Sequence, residues 1–262
     1  MELKPSPLKA VLRSGGAVIG TMLTELVTPA ACRVVQDAGF DFVIFDTEHN
    51  RSGIETMSWV LRAGKDIGLP VIVRAPAFEG QWPTRYLDLG AAGNLFPRVE
   101  TAEEAERIIR LIKYPPRGAR GLGTGTGHDD YGGLQAAEFT PWANANLFVV
   151  MQLETEQGWA NRDEIFAVPG VDATFIGPND LALSLGLPGE LDHPRVQAAV
   201  ADIFASAAAH GVAPGIHGFS VAGCLRYLDM GARFLAFSSE LGLFMQASRA
   251  GLESLREAVG GR

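Results

Sequence analysis

At 262 residues and 47% hydrophobic content, the chain is long enough to bury a large core, and α/β barrels use about this length as one domain. A formal net charge of −8, with the basic residues scattered rather than gathered, is the opposite of a nucleic-acid footprint and sets DNA, RNA and anionic membranes aside. Apolar runs such as Leu147 to Leu153 stop well short of the roughly 18 residues that a membrane span needs.

In chain order, the apolar stretch after Arg13 is broken by Thr21, Thr24 and Glu25 with no small-residue cleavage pattern behind it, which argues against a secretory leader and for the cytoplasm. Eight runs rich in Val, Ile and Phe are predicted strands: Ala17 to Leu23, Phe42 to Asp46, Pro70 to Ala75, Gly93 to Val99, Leu147 to Glu154, Ala173 to Pro178, Ala213 to His217 and Phe234 to Ser238. Segments of helical period lie between them, among them Thr28 to Ala38, Ile54 to Ile67, Ala102 to Ile112, Val196 to His210 and Leu241 to Val259. Eight alternating units predict a parallel sheet closed into a (β/α)8 TIM barrel, with residues 1–262 as a single domain. Glycines in Ala38-Gly39, Gly68-Leu69, Gly90-Ala91, His210-Gly211 and Gly231-Ala232 fit helix C-caps, where a left-handed backbone is needed. Cys32 and Cys224 fall on helical segments and suit reduced, packed thiols.

One connection is out of proportion. From Tyr114 to Asn146 the chain carries Tyr114-Pro115-Pro116, five glycines between Gly118 and Gly127, and Gly132-Gly133, which predicts a long loop shaping the pocket or a subunit contact. It lacks the spacing of a phosphate cradle.

Active sites of this fold lie at the C-terminal ends of the strands, so the residues on which strands end carry the functional signal. The second ends in Asp46-Thr47-Glu48-His49, the third in Arg74, the fifth in Gln152-Leu153-Glu154, the sixth in Gly177-Pro178-Asn179-Asp180 and the seventh in His217. Gln152 and Glu154, two apart, point into one volume, and Asp180 arrives from the neighbouring strand. Two converging carboxylates suit a hard cation such as Mg²⁺ or Mn²⁺; alternatively Asp180 caps a helix and Glu154 pairs with a surface arginine, and both readings stay open. Arg74 offers a planar fork for a carboxylate or enolate, or else an ion pair inside the barrel with Glu48 or Glu154. His49, following two acids, is a usable general base near neutral pH. The only lysines are Lys4, Lys9, Lys65 and Lys113, none at a strand's C-terminal end, so a Schiff base has no candidate.

Taken together, these residues resemble the HpcH/HpaI class II pyruvate aldolases nearly end to end. The likeness rests on Ala38-Gly39-Phe40-Asp41-Phe42, Asp46-x-Glu48-His49, Arg74, Leu87-Asp88-x-Gly90-Ala91, Tyr114-Pro115-Pro116-x-Gly118-x-Arg120-Gly121, Gln152-x-Glu154-Thr155-x-x-Gly158, Phe175-Ile176-Gly177-Pro178-x-Asp180-Leu181 and Gly231-Ala232-Arg233-Phe234. It implies that Glu154 and Asp180 ligate Mg²⁺, Mn²⁺ or Co²⁺, that pyruvate chelates this ion, and that Gln152, Gly177, Pro178 and Asn179 line the pyruvate pocket. It also implies that His49 is the base, supported by Asp46 and made more basic by Asp88, and that Arg74 stabilises the enolate. Asp88 falls at a helix end on the opposite face of the barrel, a position suited to a neighbouring subunit's site and to the hexamers, trimers of dimers, seen in relatives.

The implied reaction cleaves or forms a 4-hydroxy-2-oxo acid, giving pyruvate and an aldehyde. Departures from the family pattern cluster at the pocket mouth and bear on the aldehyde. Asn50-Arg51-Ser52 stand where Ala-Pro-Asn is usual, Ala182 where Ser is frequent, Ser238-Ser239-Glu240 where Gly-Val-Asp is usual, and His217 in place of an aliphatic residue. A 2-hydroxy-acyl-CoA lyase is the competing enzyme reading, but it wants a basic groove for CoA phosphates that is not evident. A non-catalytic oxo-acid-binding barrel leaves the full set of polar strand ends unexplained.

Overall fold

The computed structural model describes residues 3–78 and 80–260, and all eight apolar runs are strands in it: β1 (Val18–Leu23), β2 (Phe42–Asp46), β3 (Val71–Arg74), β4 (Gly93–Phe96), β5 (Phe148–Gln152), β6 (Ala173–Phe175), β7 (Gly215–Gly218) and β8 (Phe234–Ser239). All pair in parallel in the order β6-β5-β4-β3-β2-β1-β8-β7. Backbone bonds from Ile176 N–H to Gly215 O (2.9 Å) and from His217 N–H to Ile176 O (3.1 Å) join β6 to β7 and close the sheet into a barrel.

Among the described residues the helices are α1 (Pro7–Arg13), α2 (Pro29–Asp37), α3 (Ile54–Ile67), α4 (Trp82–Asp88), α5 (Ala102–Ile112), α6 (Ala136–Asn146), α7 (Glu156–Ala160), α8 (Arg162–Phe166), α9 (Pro178–Ser184), α10 (Pro194–Ala209), α11 (Val221–Asp229) and α12 (Glu240–Gly260). In α5 the cause is plain. Thr101 and Glu104 form a reciprocal capping box, and Ala105, Ile108, Ile109 and Ile112 recur on one face and are buried. Gly39, Gly68, Gly90, Gly211 and Gly231, the predicted caps, all have φ between 72° and 109°. The long connection after Tyr114 is not all loop: α6 takes up its last third. Pro141 inside that helix and its mixed composition hid the period.

Alternation along the strands divides the core in two. Side chains facing outward pack under the helices, while Phe42, Phe148, Phe175 and Phe234 fill the barrel's interior, with Phe42 and Phe234 stacked at 4.6 Å between ring centroids. These rings make a dry floor beneath the C-terminal ends of the strands. At the opposite end Leu8 of α1 plugs the barrel, and two cavities of about 710 and 680 Å³ open there, lined by residues such as Lys9, Lys113 and Arg117 and by none of the predicted site residues.

Helix α12 is unlike the others: no side chain on it is buried. Phe244, Leu252, Leu255 and Val259 are exposed along it, and its contacts with the barrel are concentrated at the ends of β1 and β8. No described helix is long and apolar enough to cross a membrane.

Candidate active site

Register explains the first pair. Asp46 and Arg74 are direct partners across β2 and β3, so both side chains point into the barrel mouth side by side. Arg74 donates from Nε to Asp46 Oδ1 (2.8 Å) and from Nη2 to Oδ2 (2.7 Å), a two-pronged bond that lysine could not make. Its Nη1 lies 3.2 Å from Glu48 Oε2. The ion pair anticipated for Arg74 therefore exists, with Asp46 as the main partner. Burial works against the guanidinium's charge, but the bonds and charges of Asp46 and Glu48 outweigh it and raise its pKa.

Glu154 is 2% exposed. It is held by two donors, the side-chain amide of Gln152 and the backbone N–H of Arg98 (3.2 Å to Oε1). Among the described residues no surface arginine pairs with it, as one sequence alternative would have required. Burial over the aromatic floor pushes its pKa up to about 7; the Gln152 bond opposes this, and the negative charges of Asp180 and Glu48 add to it. Glu48 is also raised, again chiefly by burial, with Arg74 opposing. Among the described residues Gln152 Oε1 and Glu48 Oε2 are buried without a hydrogen-bond partner, the contact of Arg74 with Glu48 being an ion pair only.

Continuing the β5–β6 register from Gln152 and Phe175 places Glu154 opposite Gly177. A Cβ built on Gly177 would meet Glu154 Oε2 at 2.3 Å, so a larger residue there would require the carboxylate to shift. Gly177 is the N-cap of α9, Pro178 is buried in its first turn, Asn179 is exposed, and Asp180 sits half-buried in the same turn. Asp180 is thus not the cap. Among the described residues it has no ion-pair partner, and its charge bears on Glu154 and Glu48.

Four carboxylates, Asp46, Glu48, Glu154 and Asp180, share this mouth with one guanidinium. No three or more His, Cys, Asp or Glu donors are grouped as a ready-made metal cage among the described residues. The uncompensated charge, the orphaned Gln152 oxygen and the close approach of the Glu154 carboxylate to Gly177 nonetheless fit a hard divalent cation held by two carboxylates, with its remaining ligands supplied by water or substrate.

His49 differs from expectation. Its side chain is 66% exposed, and its nearest carboxylate is Glu48, 3.8 Å away, not Asp46. Asp46 is engaged by Arg74 and supports His49 through the backbone, accepting the N–H groups of Glu48 (2.9 Å) and His49 (3.4 Å). Asp88 lies at the end of α4, on the barrel's other face. There it bonds Arg120 (2.6 Å) and lies 3.4 Å from His128; burial raises its pKa, but His128 and Arg120 outweigh that and hold it low. Within one chain Asp88 does not join His49. His217 points inward, packs on Phe175 and places Nε2 3.0 Å from Ser238 O, and burial pushes its pKa down to about 4.

The sequence offered Glu48 only as an ion-pair partner for Arg74 and gave Arg98 no role. Glu48 could have been found by parity, two residues beyond Asp46. Arg98 has φ 54°, an uncommon backbone state that aims its N–H at Glu154, and only the preceding Pro97 hints at it.

A family profile described as HpcH/HpaI aldolase/citrate lyase matches residues 21–247. A protein named 5-keto-4-deoxy-D-glucarate aldolase from Escherichia coli O6:H1 is 38% identical over 248 residues, covering 95% of this chain and 96% of the relative. Among solved structures, an HpcH/HpaI aldolase from Desulfitobacterium hafniense DCB-2 superposes with a TM-score of 0.91 at 32% identity, covering 95% of this chain and 96% of that one. A family member from Burkholderia cenocepacia J2315 gives 0.89 at 33%, with 95% and 98% coverage. Sequence and fold thus agree along nearly the whole length: the chain belongs to the HpcH/HpaI aldolase/citrate lyase family and is a carbon–carbon lyase.

Proposed function

We propose that the chain is a divalent-metal-dependent aldolase that interconverts a 4-hydroxy-2-oxo acid with pyruvate and an aldehyde. The observation that carries this is the buried, uncompensated carboxylate cluster around Glu154 at the mouth of the barrel. The substrate named for the Escherichia coli relative, 5-keto-4-deoxy-D-glucarate, is itself a 4-hydroxy-2-oxo acid when numbered from its oxo end. Glu154 and Asp180 would hold the cation, Mg²⁺, Mn²⁺ or Co²⁺, which supplies a Lewis acid beside the 2-oxo group.

The chain's own residues do the rest. In the cleavage direction His49 removes the proton of the C4 hydroxyl, the C3–C4 bond breaks, and its electron pair passes to C3 and O2 as an enolate. Asp46 and Glu48 lock the orientation of Arg74, whose remaining N–H bonds would receive the oxygen on which that charge grows. Gln152 and the Gly177-Pro178 backbone bound the pyruvate end, and protonation at C3 completes the turnover.

Lysines stand nowhere near this mouth. Lys113, whose pKa burial lowers to about 7, is at the far end with Nζ bonded to Asn144 O and Leu147 O. Metal-stripped protein should therefore release no pyruvate from a panel of 4-hydroxy-2-oxo acids until Mg²⁺, Mn²⁺ or Co²⁺ is restored. Borohydride with pyruvate should leave no adduct. Activity that survives EDTA, or a pyruvyl-lysine found by mass spectrometry, would overturn the metal mechanism.

A homo-oligomer completes the picture. Helix α12 leaves its place on the barrel wall, and Val221 and Leu225 of α11 and Val34 of α2 are exposed beside that place, so one copy's α12 matches the gap in another. Thermal midpoints should rise with protein concentration. A midpoint constant over a hundredfold dilution, with a monomer by sedimentation, would refute the assembly. The hexamer implied by the family is the expected size, and two free buried cysteines accord with a cytoplasmic protein.

A further inference from the structure

Among the described residues the imidazole of His49 makes no hydrogen bond of its own, with Glu48 3.8 Å away, so its placement depends on the backbone that carries it. That backbone is tied to an unexpected anchor. The pairing of β1 with β8 shifts between Gly20 and Met22, leaving Phe237 and Ser238 opposite Thr21 alone, a β-bulge. Ser238 adopts φ 55°, and its carbonyl accepts from His217 Nε2 (3.0 Å) and Thr21 Oγ1 (3.4 Å). The bulge swings the start of α12 over the end of β1.

Glu240 is delivered there. Its carboxylate accepts three successive backbone N–H groups, from Thr24 (2.9 Å), Glu25 (2.6 Å) and Leu26 (2.7 Å), which form an anion nest filled by the chain itself. The peptide unit between Thr24 and Glu25 is held at both ends: Glu240 takes its N–H, and the Asn50 side-chain amide donates to its carbonyl. Asn50 Oδ1 in turn accepts Ser52 N–H at 2.6 Å, pinning the segment that begins at His49.

We propose that Glu240 is a positioning residue for His49, acting through the Thr24–Glu25 peptide and Asn50; this rests on His49 being the base. The carboxylate charge matters because three N–H dipoles converge on it. Glutamine at 240 would keep the shape, remove the charge and turn an amide N–H toward donors. Near-attack geometry is steep in distance, and a shift of about 1 Å in a catalytic group can cost about 10²-fold in rate.

A double-mutant cycle tests it, with kcat, KM and Mn²⁺ affinity measured for wild type, Glu240→Gln, His49→Ala and the double variant. Glu240→Gln should lower kcat by roughly tenfold to a hundredfold while KM and Mn²⁺ affinity stay within about twofold, and the same change in the His49→Ala background should have no further effect. Asn50→Ala, which cuts the link at its other end and leaves the nest filled, should reproduce the loss; it also serves if Glu240→Gln proves unstable. An unchanged kcat in both Glu240→Gln and Asn50→Ala, or an equal loss with and without His49, would overturn the positioning role. His49→Ala with wild-type kcat would instead remove His49 as base, a separate failure that the cycle identifies.

Discussion

Glu154→Gln should fold, bind no Mn²⁺ detectable by calorimetry, and show no lyase activity. Asp180→Ala should lose Mn²⁺ in the same way, because a site of two carboxylates cannot hold a hard cation with half its protein charge gone. The structure adds an opposite effect on stability. In the metal-free protein the Glu154 carboxyl is raised from 4.5 to about 7, so the folded state holds a proton that the unfolded chain has released. That difference lowers stability progressively as pH climbs through the interval, and the penalty is complete above about pH 7. Glutamine removes it, and Gln152 can turn its unpartnered oxygen to receive the new amide. Metal-free Glu154→Gln should thus match wild type near pH 4.5 and exceed it by up to about 3 kcal/mol at pH 8 in urea unfolding. Saturating Mn²⁺ should narrow or reverse the gap, since only wild type gains from binding. Unaltered Mn²⁺ affinity would end the assignment of Glu154 as a ligand.

Arg74→Lys should collapse kcat by roughly 10² to 10³ while KM for the hydroxy acid changes far less, the pattern for a group whose interaction strengthens in the transition state. Lysine keeps the charge but has one nitrogen for the three contacts that Nε, Nη1 and Nη2 make with Asp46 and Glu48. The ammonium would be drawn to these carboxylates and away from the oxo group. The same variant should slow exchange of pyruvate's methyl protons into deuterated water, a half-reaction that forms the enolate with no aldehyde present. Wild-type exchange alongside failed cleavage would move Arg74 to the aldehyde half of the site, and its role at the enolate would be withdrawn.

Much of the architecture was legible because each cue was local. The run Phe42 to Asp46 and the segments Ile54 to Ile67 and Ala102 to Ile112 carry their periods within themselves, and structure and sequence agree on their bounds. Helices such as α7 and α8, of five residues each, are too short for a period to repeat and went unread. In the site, strand parity was enough to aim Gln152 and Glu154 into one volume. Register was not available: that Asp46 lies directly beside Arg74, bonding it with both oxygens and reaching His49 only at the backbone, depends on how β2 and β3 align. Arg98 escaped notice for a related reason, since it contributes an N–H fixed by a left-handed φ and its side chain is not involved. The joining of Glu240 to the loop after β1 spans more than two hundred residues of sequence, and no periodicity reports it.

Gly177 carries one more consequence, for how this barrel can vary. The oxygen of Glu154 occupies the space a β-carbon would take, so a change at 177 is felt first at the carboxylate of 154. An alanine at 177 would push the carboxylate of Glu154 off its present position, and with it the bond from Gln152 that the same oxygen accepts. The residue at 177 thus sets where the charged oxygen sits at the mouth through an atom that it lacks.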